Sequence, residues 1–116
     1  EASIPFNYAP ATPRERIEED WDVRLPLSCT LAGYTAQVQG TLPWSRWDDL
    51  PSVTAPTLVV HGELDRLVLP DNGRAVAERI PGAELVLVPD ANHVLMTDQP
   101  EHVGKVLRDW LDGHAP

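Results

Sequence analysis

Two short aliphatic runs in the second half of the chain place the strongest constraint on its fold. The runs LVV at 58–60 and LVLV at 85–88 are too short for helices and contain no alternating polar residues. Such runs are typical of strands buried on both faces of a parallel sheet. Parallel neighbours need a crossover connection. Residues 71–80 are predicted to form it as a helix, with Val76 and Ile80 against the sheet.

Another helix is predicted after the second run, because apolar residues recur there at helical spacing. Asp98 is expected to cap its first turn, and Gly113 is expected to lie just beyond its end. The residues of its apolar face are Val103, Val106, Leu107, Trp110 and Leu111. Residues 53–116 are therefore predicted to form a β-α-β-α unit of the α/β class, as one piece of a parallel sheet.

A helix is also predicted close to the start of the chain. The sequence TPRE at 12–15 matches a capping box, in which the threonine hydroxyl and the glutamate each bond a free backbone N–H. The helix that follows, to about Asp22, places Ile17 and Trp21 four residues apart on one face. Its acidic residues are expected to form a solvated side rather than a cation site.

Apolar residues at positions 27, 31, 34 and 38 predict a further helix that ends near Gly40. We expect this helix and the preceding one to form an amphipathic pair. The composition then changes from mixed to aliphatic after residue 52. Residues 1–52 are therefore predicted to be a helical lid segment with a linker, and residues 53–116 to be the α/β part.

Charge and composition exclude several classes of protein. Eighteen acidic residues against nine basic ones give a formal net charge of -9, which repels nucleic-acid phosphates and anionic lipids. With no apolar stretch of membrane-spanning length and no visible signal peptide, we expect a cytoplasmic protein with neither nucleic acid nor membrane as a partner. The lone Cys29 and the lack of ligand spacing predict no metal site. Because the chain begins at Glu1, we expect a further segment to precede it.

Two residues that can carry acid–base chemistry follow the two predicted strands. Asp65 comes shortly after the first strand and His93 shortly after the second. Ligand crevices of parallel sheets lie at the carboxyl ends of the strands, so the two side chains are expected to be in contact there. Asp65 could then orient the imidazole while the other ring nitrogen takes a proton. The alternatives are an ordinary loop histidine and a turn carboxylate, with Asp90 as a competing acid.

The neighbours of this pair are expected to shape the loops. Gly62 permits the turn at the end of the first strand, and Asn92 is expected to adopt the left-handed backbone conformation before His93. His61 is interpreted as structural, and Asp90 is expected to shape the turn before Asn92. Leu67 and Val94 adjoin the two polar residues, and we expect them to help line a substrate pocket or simply to pack.

Several segments together resemble the C-terminal part of an α/β-hydrolase. They are APTLVVHGELD at 55–65, Asn92-His93, and QPE at 99–101, in that order and with a helix between the strands. The resemblance implies that Asp65 is the acid and His93 the base of a catalytic triad, and that no cofactor is needed. Residues 36–39 and 44–50 also look like the exit from the cap domain in small esterase, lactonase and peroxidase-like members.

The nucleophile expected in such a triad is missing from the sequence. No Gly-x-Ser-x-Gly elbow occurs, and the possible substitutes lack its glycine flanks and its strand-to-helix setting. These substitutes are Ser3, Ser28, Ser45, Ser52 and Cys29. The sequence therefore predicts a partner, namely the N-terminal part of the same hydrolase, and predicts that the 116-residue chain alone is inactive.

The leading hypothesis is the C-terminal part of a serine-type hydrolase that cleaves a small ester or lactone. One alternative is a relative with an aspartate nucleophile, such as an epoxide hydrolase or a dehalogenase, in which His93 would activate water. Another is a non-catalytic remnant that acts as a binding or assembly module. The absent nucleophile favours the remnant, and the presence of both Asp65 and His93 disfavours it.

Overall fold

The second half of the molecule is built on a pair of parallel strands. The computed structural model describes residues 2–27 and 29–114. Strand β1 spans Leu58–Gly62 and strand β2 spans Glu84–Val88, and helix α4 (Pro70–Arg79) connects them. The strands pair in parallel with Leu58 opposite Glu84 and Gly62 opposite Val88. The predicted parallel β-α-β arrangement is confirmed.

The remaining elements of the described ranges are helical. In chain order they are α1 (Ile4–Asn7), α2 (Arg14–Arg24), a 3₁₀ turn (Leu25–Leu27), α3 (Leu31–Thr41), a 3₁₀ turn (Trp47–Ser52), α5 (Leu95–Asp98) and α6 (Pro100–Gly113). Helices α2, α3, α4 and α6 match the four predicted helices, although α3 begins later than its apolar pattern suggested. None of the described helices is long and apolar enough to cross a bilayer. The division of the chain at residue 52 stays a prediction.

Helices α4 and α6 cover opposite faces of the sheet. Val60 of β1 and Val88 of β2 pack with the buried Val103 of α6. The neighbouring His61 points to the other face, since side chains alternate along a strand, and it lies against Gly73 of α4. The two short strands are therefore sandwiched between two helices, which explains their aliphatic composition.

The N-terminal helices pack onto the loop that follows β2. Tyr8 and Ile17 form a buried cluster with Val94, and Ile4 and Trp21 pack against it. Ile17 and Trp21 thus share a face as predicted. This cluster connects the first 24 residues to the segment that carries His93.

The predicted capping box at the start of α2 is wrong. Pro13 holds the N-cap position without a side-chain hydrogen bond. The hydroxyl of Thr12 instead donates to the carboxylate of Asp98, at 2.5 Å. Tertiary packing brings the Thr12 hydroxyl next to this carboxylate, which is a strong hydrogen-bond acceptor.

The prediction that α2 and α3 form an amphipathic pair is also wrong. Leu31 and Tyr34 of α3 are 81% and 59% exposed, and no residue of α3 is buried. The helix begins with a cap in which the Thr30 hydroxyl accepts from the backbone N–H of Gly33, at 3.1 Å. Its apolar face therefore lies open within the described part of the chain.

The ends of α6 differ from the prediction as well. Gly113 is the last residue of the helix rather than the residue beyond it. Gln99 holds the N-cap position without a side-chain bond to the first turn of the helix, and Asp98 belongs to α5. The carboxylate of Asp98 is buried and accepts from the backbone N–H groups of Ala9 and Asn92. The Asp98 carboxylate therefore bonds these backbone donors instead of the N–H groups in the first turn of α6.

The absence of a side chain at Gly62 is required by the close approach of the loop after β2. A Cβ atom built on Gly62 would lie 2.3 Å from the carbonyl oxygen of Asn92 and 2.5 Å from that of Ala91. Both neighbours are buried backbone, which cannot move aside as a flexible side chain can. Gly62 is therefore needed for space, and not only for the turn that the sequence suggested.

We predict that Gly62→Ala destabilises the chain by at least about 2 kcal/mol, because overpacking against buried backbone forces the two loops apart. The measurement is the midpoint and slope of urea unfolding. Gly40→Ala is the matched control, since nothing lies within 4 Å of a Cβ at Gly40 in α3. Replacing that helical glycine should stabilise the chain by about 0.5–1 kcal/mol. Equal midpoints for the two variants would contradict the prediction.

Tyr8 carries a buried phenol whose ionisation is suppressed. Its hydroxyl donates to Asp20 Oδ2 at 2.6 Å. Burial, followed by the hydrogen bond to Asp20 and the charge of that carboxylate, raises the pKa of Tyr8 to about 12 from 10.0. Because the folded pKa is higher than the unfolded one, this contribution to stability is complete below about pH 10 and is lost as the pH rises towards 12.

A tyrosine titration tests this packing. The sequence has two tyrosines, so Tyr34→Phe leaves Tyr8 as the single reporter. We expect its phenolate absorbance to appear with a midpoint at about 12, and to move to about 10 when the same variant is unfolded in urea. A midpoint near 10 in the folded variant would show that Tyr8 is solvated.

Candidate active site

The loop that carries Asp65 is fixed to the loop after β2. Immediately beyond β1, the backbone N–H of Glu63 donates to the Val88 carbonyl at 3.0 Å, and that of Leu64 donates to the Ala91 carbonyl at 2.8 Å. These bonds extend the parallel pairing past the ends of the strands. They bring Asp65, whose side chain is only 4% exposed, under the segment that carries His93.

Asp65 and His93 are in contact, as the sequence predicted. The Nδ1 atom of His93 lies 3.0 Å from Asp65 Oδ2. An ionised carboxylate only accepts hydrogen bonds, so Nδ1 carries the proton and the neutral ring presents Nε2 as an acceptor. The His93 side chain is 36% exposed, and its Nε2 has no hydrogen-bond partner among residues 2–27 and 29–114. Solvent or a reacting group can therefore reach Nε2.

The surroundings of Asp65 hold its carboxyl in the ionised form. Burial alone would raise its pKa. The backbone N–H of Val68, the ring of His93 and the backbone N–H of Leu67 outweigh burial and lower the pKa below the usual value of 3.8. The two backbone donors both lie 2.9 Å from Oδ1, which leaves Oδ2 for the imidazole.

A second imidazole also approaches Asp65. Nε2 of His61 lies 2.8 Å from the Val68 carbonyl oxygen and 3.3 Å from Asp65 Oδ2. Because a carbonyl only accepts, Nε2 carries the proton and shares it between the two oxygens. His61 therefore ties β1 to the acid loop, in agreement with its interpretation as structural. The contact between His61 and Asp65 was not predicted. Residues four apart face each other in a helix, but these two are joined by the end of β1 and a loop.

The turn before His93 differs from the prediction. Among the described residues other than glycine, only Asp90 has a positive φ, at 55°. Asn92 therefore does not adopt the left-handed conformation, and that prediction is wrong. Asp90 shapes the turn, as expected, and the described carboxylate that accepts from His93 is that of Asp65 rather than that of Asp90. Asn92 is instead completely enclosed, with 1% of its surface exposed.

The two expected pocket residues lie in different environments. Val94 belongs to the buried cluster with Tyr8, and it also borders a cleft of about 180 Å³ beside His93. Leu67 is exposed and lies outside this cleft. The other residues that line the cleft are Arg24, Leu95 and Met96.

A larger cavity of about 630 Å³ is lined by the acid rather than by the base. It is formed between the N-terminal helices and the loop after β1, and both Asp65 and Asn92 line it. His93 does not line it. The cavity that the exposed imidazole faces is therefore the smaller cleft.

No described serine or cysteine lies in either of these two cavities. Ser3, Ser45, Ser52 and Cys29 are all exposed, and the Ser52 hydroxyl donates to the Asp49 carbonyl. Ser28 lies outside the described residues. The described part of the chain thus holds the acid–base pair without a serine or cysteine in the cavities beside it.

Comparison with known proteins identifies the family. Residues 3–103 match the alpha/beta hydrolase family. Proline iminopeptidase PfmaB from Pestalotiopsis fici is 41% identical over 64 residues, which cover 55% of this chain and 23% of that protein. The solved structure of a thermophilic esterase from Thermogutta terrifontis, with malate bound, is 39% identical over 57% of this chain and 24% of its own, with a TM-score of 0.55.

The fold is matched over nearly the whole chain by the structure of Rv0554 from Mycobacterium tuberculosis. That match covers 97% of this chain and 42% of the other, with a TM-score of 0.77 and 23% identity. The chain thus spans less than half the length of each of these three proteins. The proteins similar to this chain include an esterase and a peptidase. Because the family match covers most of the sequence, this chain belongs to the alpha/beta hydrolase family.

Proposed function

We propose that this chain is the C-terminal part of a serine-type α/β-hydrolase that cleaves a small ester or lactone. In this proposal Asp65 is the acid and His93 the base of the catalytic triad. The observation that carries it is the 3.0 Å contact between His93 Nδ1 and Asp65 Oδ2, combined with the accessible Nε2. Esters are favoured as substrates by the similarity to the Thermogutta terrifontis esterase.

The proposed mechanism uses each atom of the pair in a defined role. Asp65 stays ionised and accepts from Nδ1–H, which fixes the tautomer and stabilises the imidazolium. Nε2 of His93 takes the proton of a serine hydroxyl as its oxygen attacks the substrate carbonyl. The imidazolium then protonates the leaving alcohol as the acyl–oxygen bond breaks. In the second half, His93 takes a proton from water, which attacks the acyl-enzyme, and returns it to the serine oxygen.

The serine is proposed to reside on the N-terminal part of the same hydrolase, which is the partner of this chain. Two observations support this assignment. No described serine borders the cleft beside His93. In addition, β1 pairs with β2 alone in the described sheet, so its outer edge presents unpaired backbone groups. A further parallel strand from the N-terminal part would satisfy them.

The cleft beside His93 supports a small and largely apolar substrate. Val94, Leu95 and Met96 line it beside His93, and Arg24 from the end of α2 contributes a guanidinium group to the lining. A volume of about 180 Å³ accommodates a short acyl or alcohol group. Because His93 lines the cleft, a leaving alcohol held there would lie beside the imidazole that returns the proton.

A labelling experiment tests the reaction class. The native protein, isolated with any polypeptide that accompanies this chain, is treated with a fluorophosphonate probe and assayed with a chromogenic ester. We expect labelling of a serine outside residues 1–116 together with ester hydrolysis. His93→Gln should reduce both by about 10⁴-fold or more, because removing a triad member leaves only residual catalysis.

His102→Gln provides the matched control, because His102 is exposed on α6 and lies away from the cleft. It should retain labelling and hydrolysis at the parent level. Absence of labelling in every polypeptide of an otherwise folded sample would contradict a serine nucleophile. Full activity in His93→Gln would contradict the role of His93 as the base.

The ionisation of Asp65 gives a separate prediction about stability. Its pKa is lower in the folded chain than in the unfolded one, so the ionised carboxylate stabilises the fold above its unfolded pKa. This contribution is lost as the pH falls through the lower native value. Asp65→Asn should therefore reduce the free energy of unfolding most near neutral pH, and the difference from the parent should shrink below about pH 4.

Urea unfolding of the parent and the variant between neutral pH and about pH 3 measures this difference. Asp112→Asn serves as the control, since Asp112 is exposed near the end of α6. A stability difference for Asp65→Asn that is independent of pH would contradict the prediction, because it would reflect packing rather than charge.

A further inference from the structure

Asn92 makes hydrogen bonds to three separate segments of the chain. Its side-chain oxygen accepts from the backbone N–H of Arg66 at 3.2 Å and from that of His93 at 2.9 Å. Its side-chain nitrogen donates to the carbonyl oxygens of Pro5 at 3.2 Å and Tyr8 at 3.1 Å. These bonds use both lone-pair positions and both N–H groups of the amide.

The two bonds to the oxygen join the two halves of the acid–base pair. Arg66 directly follows Asp65 in the chain, and the backbone N–H of His93 belongs to the base itself. One buried oxygen therefore holds the backbone of the acid and the backbone of the base at a fixed separation. Fully satisfied buried networks of this kind are rigid, whereas a missing member leaves buried donors unpaired.

The backbone at this position does not explain why the residue is asparagine. Positive φ is confined to Asp90 among the described residues that are not glycine, so many residues could adopt the backbone of Asn92. The side chain, which is buried with four partners, is what the residue contributes. Its backbone N–H is held separately by Asp98 Oδ2 at 2.7 Å.

We propose that Asn92 is a positioning residue that sets the hydrogen bond between His93 and Asp65. The inference rests on the proposed function, since the pair it positions is the proposed base and acid. Removing the amide frees the backbone N–H groups of Arg66 and His93. The imidazole then samples orientations in which Nδ1 no longer points at Asp65 Oδ2.

Proton NMR of the native protein, isolated with any polypeptide that accompanies this chain, measures the hydrogen bond directly. The Nδ1–H proton of His93 should give a resonance far downfield, assigned by its loss in Asp65→Asn. We expect Asn92→Ala to lose this resonance or to broaden it through solvent exchange, at a temperature where the variant is folded. Its unchanged position and exchange rate in Asn92→Ala would overturn the proposal, as would its absence from the parent chain.

Thr12→Val is the control that separates positioning from stability. It removes the bond from the Thr12 hydroxyl to Asp98 and leaves every side-chain bond of Asn92 in place. Thr12→Val should lower the unfolding midpoint but keep the resonance of His93. If both variants lost the resonance to the same degree at equal folded fraction, Asn92 would have only a structural role and the proposal would be overturned.

Kinetic measurements on the native protein provide a second test of the proposal. With a chromogenic ester, Asn92→Ala should reduce kcat by about 100-fold and change KM by less than about twofold, because a misplaced base affects the chemical step. A rise in KM with an unchanged kcat would overturn the positioning role. If the parent protein hydrolysed no ester, the proposed function would fail, and the NMR comparison would still decide whether Asn92 orients His93.

Discussion

The arrangement of the candidate site depends on the parallel register of β1 and β2, which continues beyond the ends of both strands. Gly62 lies opposite Val88, and the next backbone bonds join Glu63 to Val88 and Leu64 to Ala91. These bonds bring the two loops so close that a single added carbon at Gly62 would overlap backbone oxygen. The same proximity allows two short loops to place an aspartate and a histidine in contact.

A buried carboxylate joins this pair of loops to the start of the chain. Asp98 accepts from the backbone N–H of Ala9, the hydroxyl of Thr12 and the backbone N–H of Asn92, and is itself 5% exposed. Hydrogen bonds from three donors offset the desolvation of a buried charge. Residues 9–12 are consequently part of the scaffold behind His93, although the sequence assigned them to a separate lid.

Local patterns in the sequence were sufficient for the strands, the crossover helix and the contact between Asp65 and His93. Each depends on periodicity or on the geometry of parallel strand ends. The roles of Asn92 and Asp98 were not predictable in this way, because several of their partners near the start of the chain lie 84 to 89 residues away in the sequence, and Arg66 lies 26 residues before Asn92. Asp98 resembled a helix cap only because the residues that follow it are helical. Local sequence pattern could not reveal that donors from the start of the chain bond the Asp98 carboxylate instead.

The open surfaces of the molecule fit the proposed partner. The outer edge of β1 has no neighbouring strand in the described sheet, and α3 exposes apolar residues on a helix that contains no charged residue. Because the chain has a net charge of -9, an uncharged helix such as α3 can pack against another polypeptide with little charge repulsion. An N-terminal part could pair with β1 along this edge. Its nucleophile would then have to lie at the carboxyl ends of the strands, where Asp65 and His93 are. The exposed apolar face of α3 would be buried if the same partner packed against it.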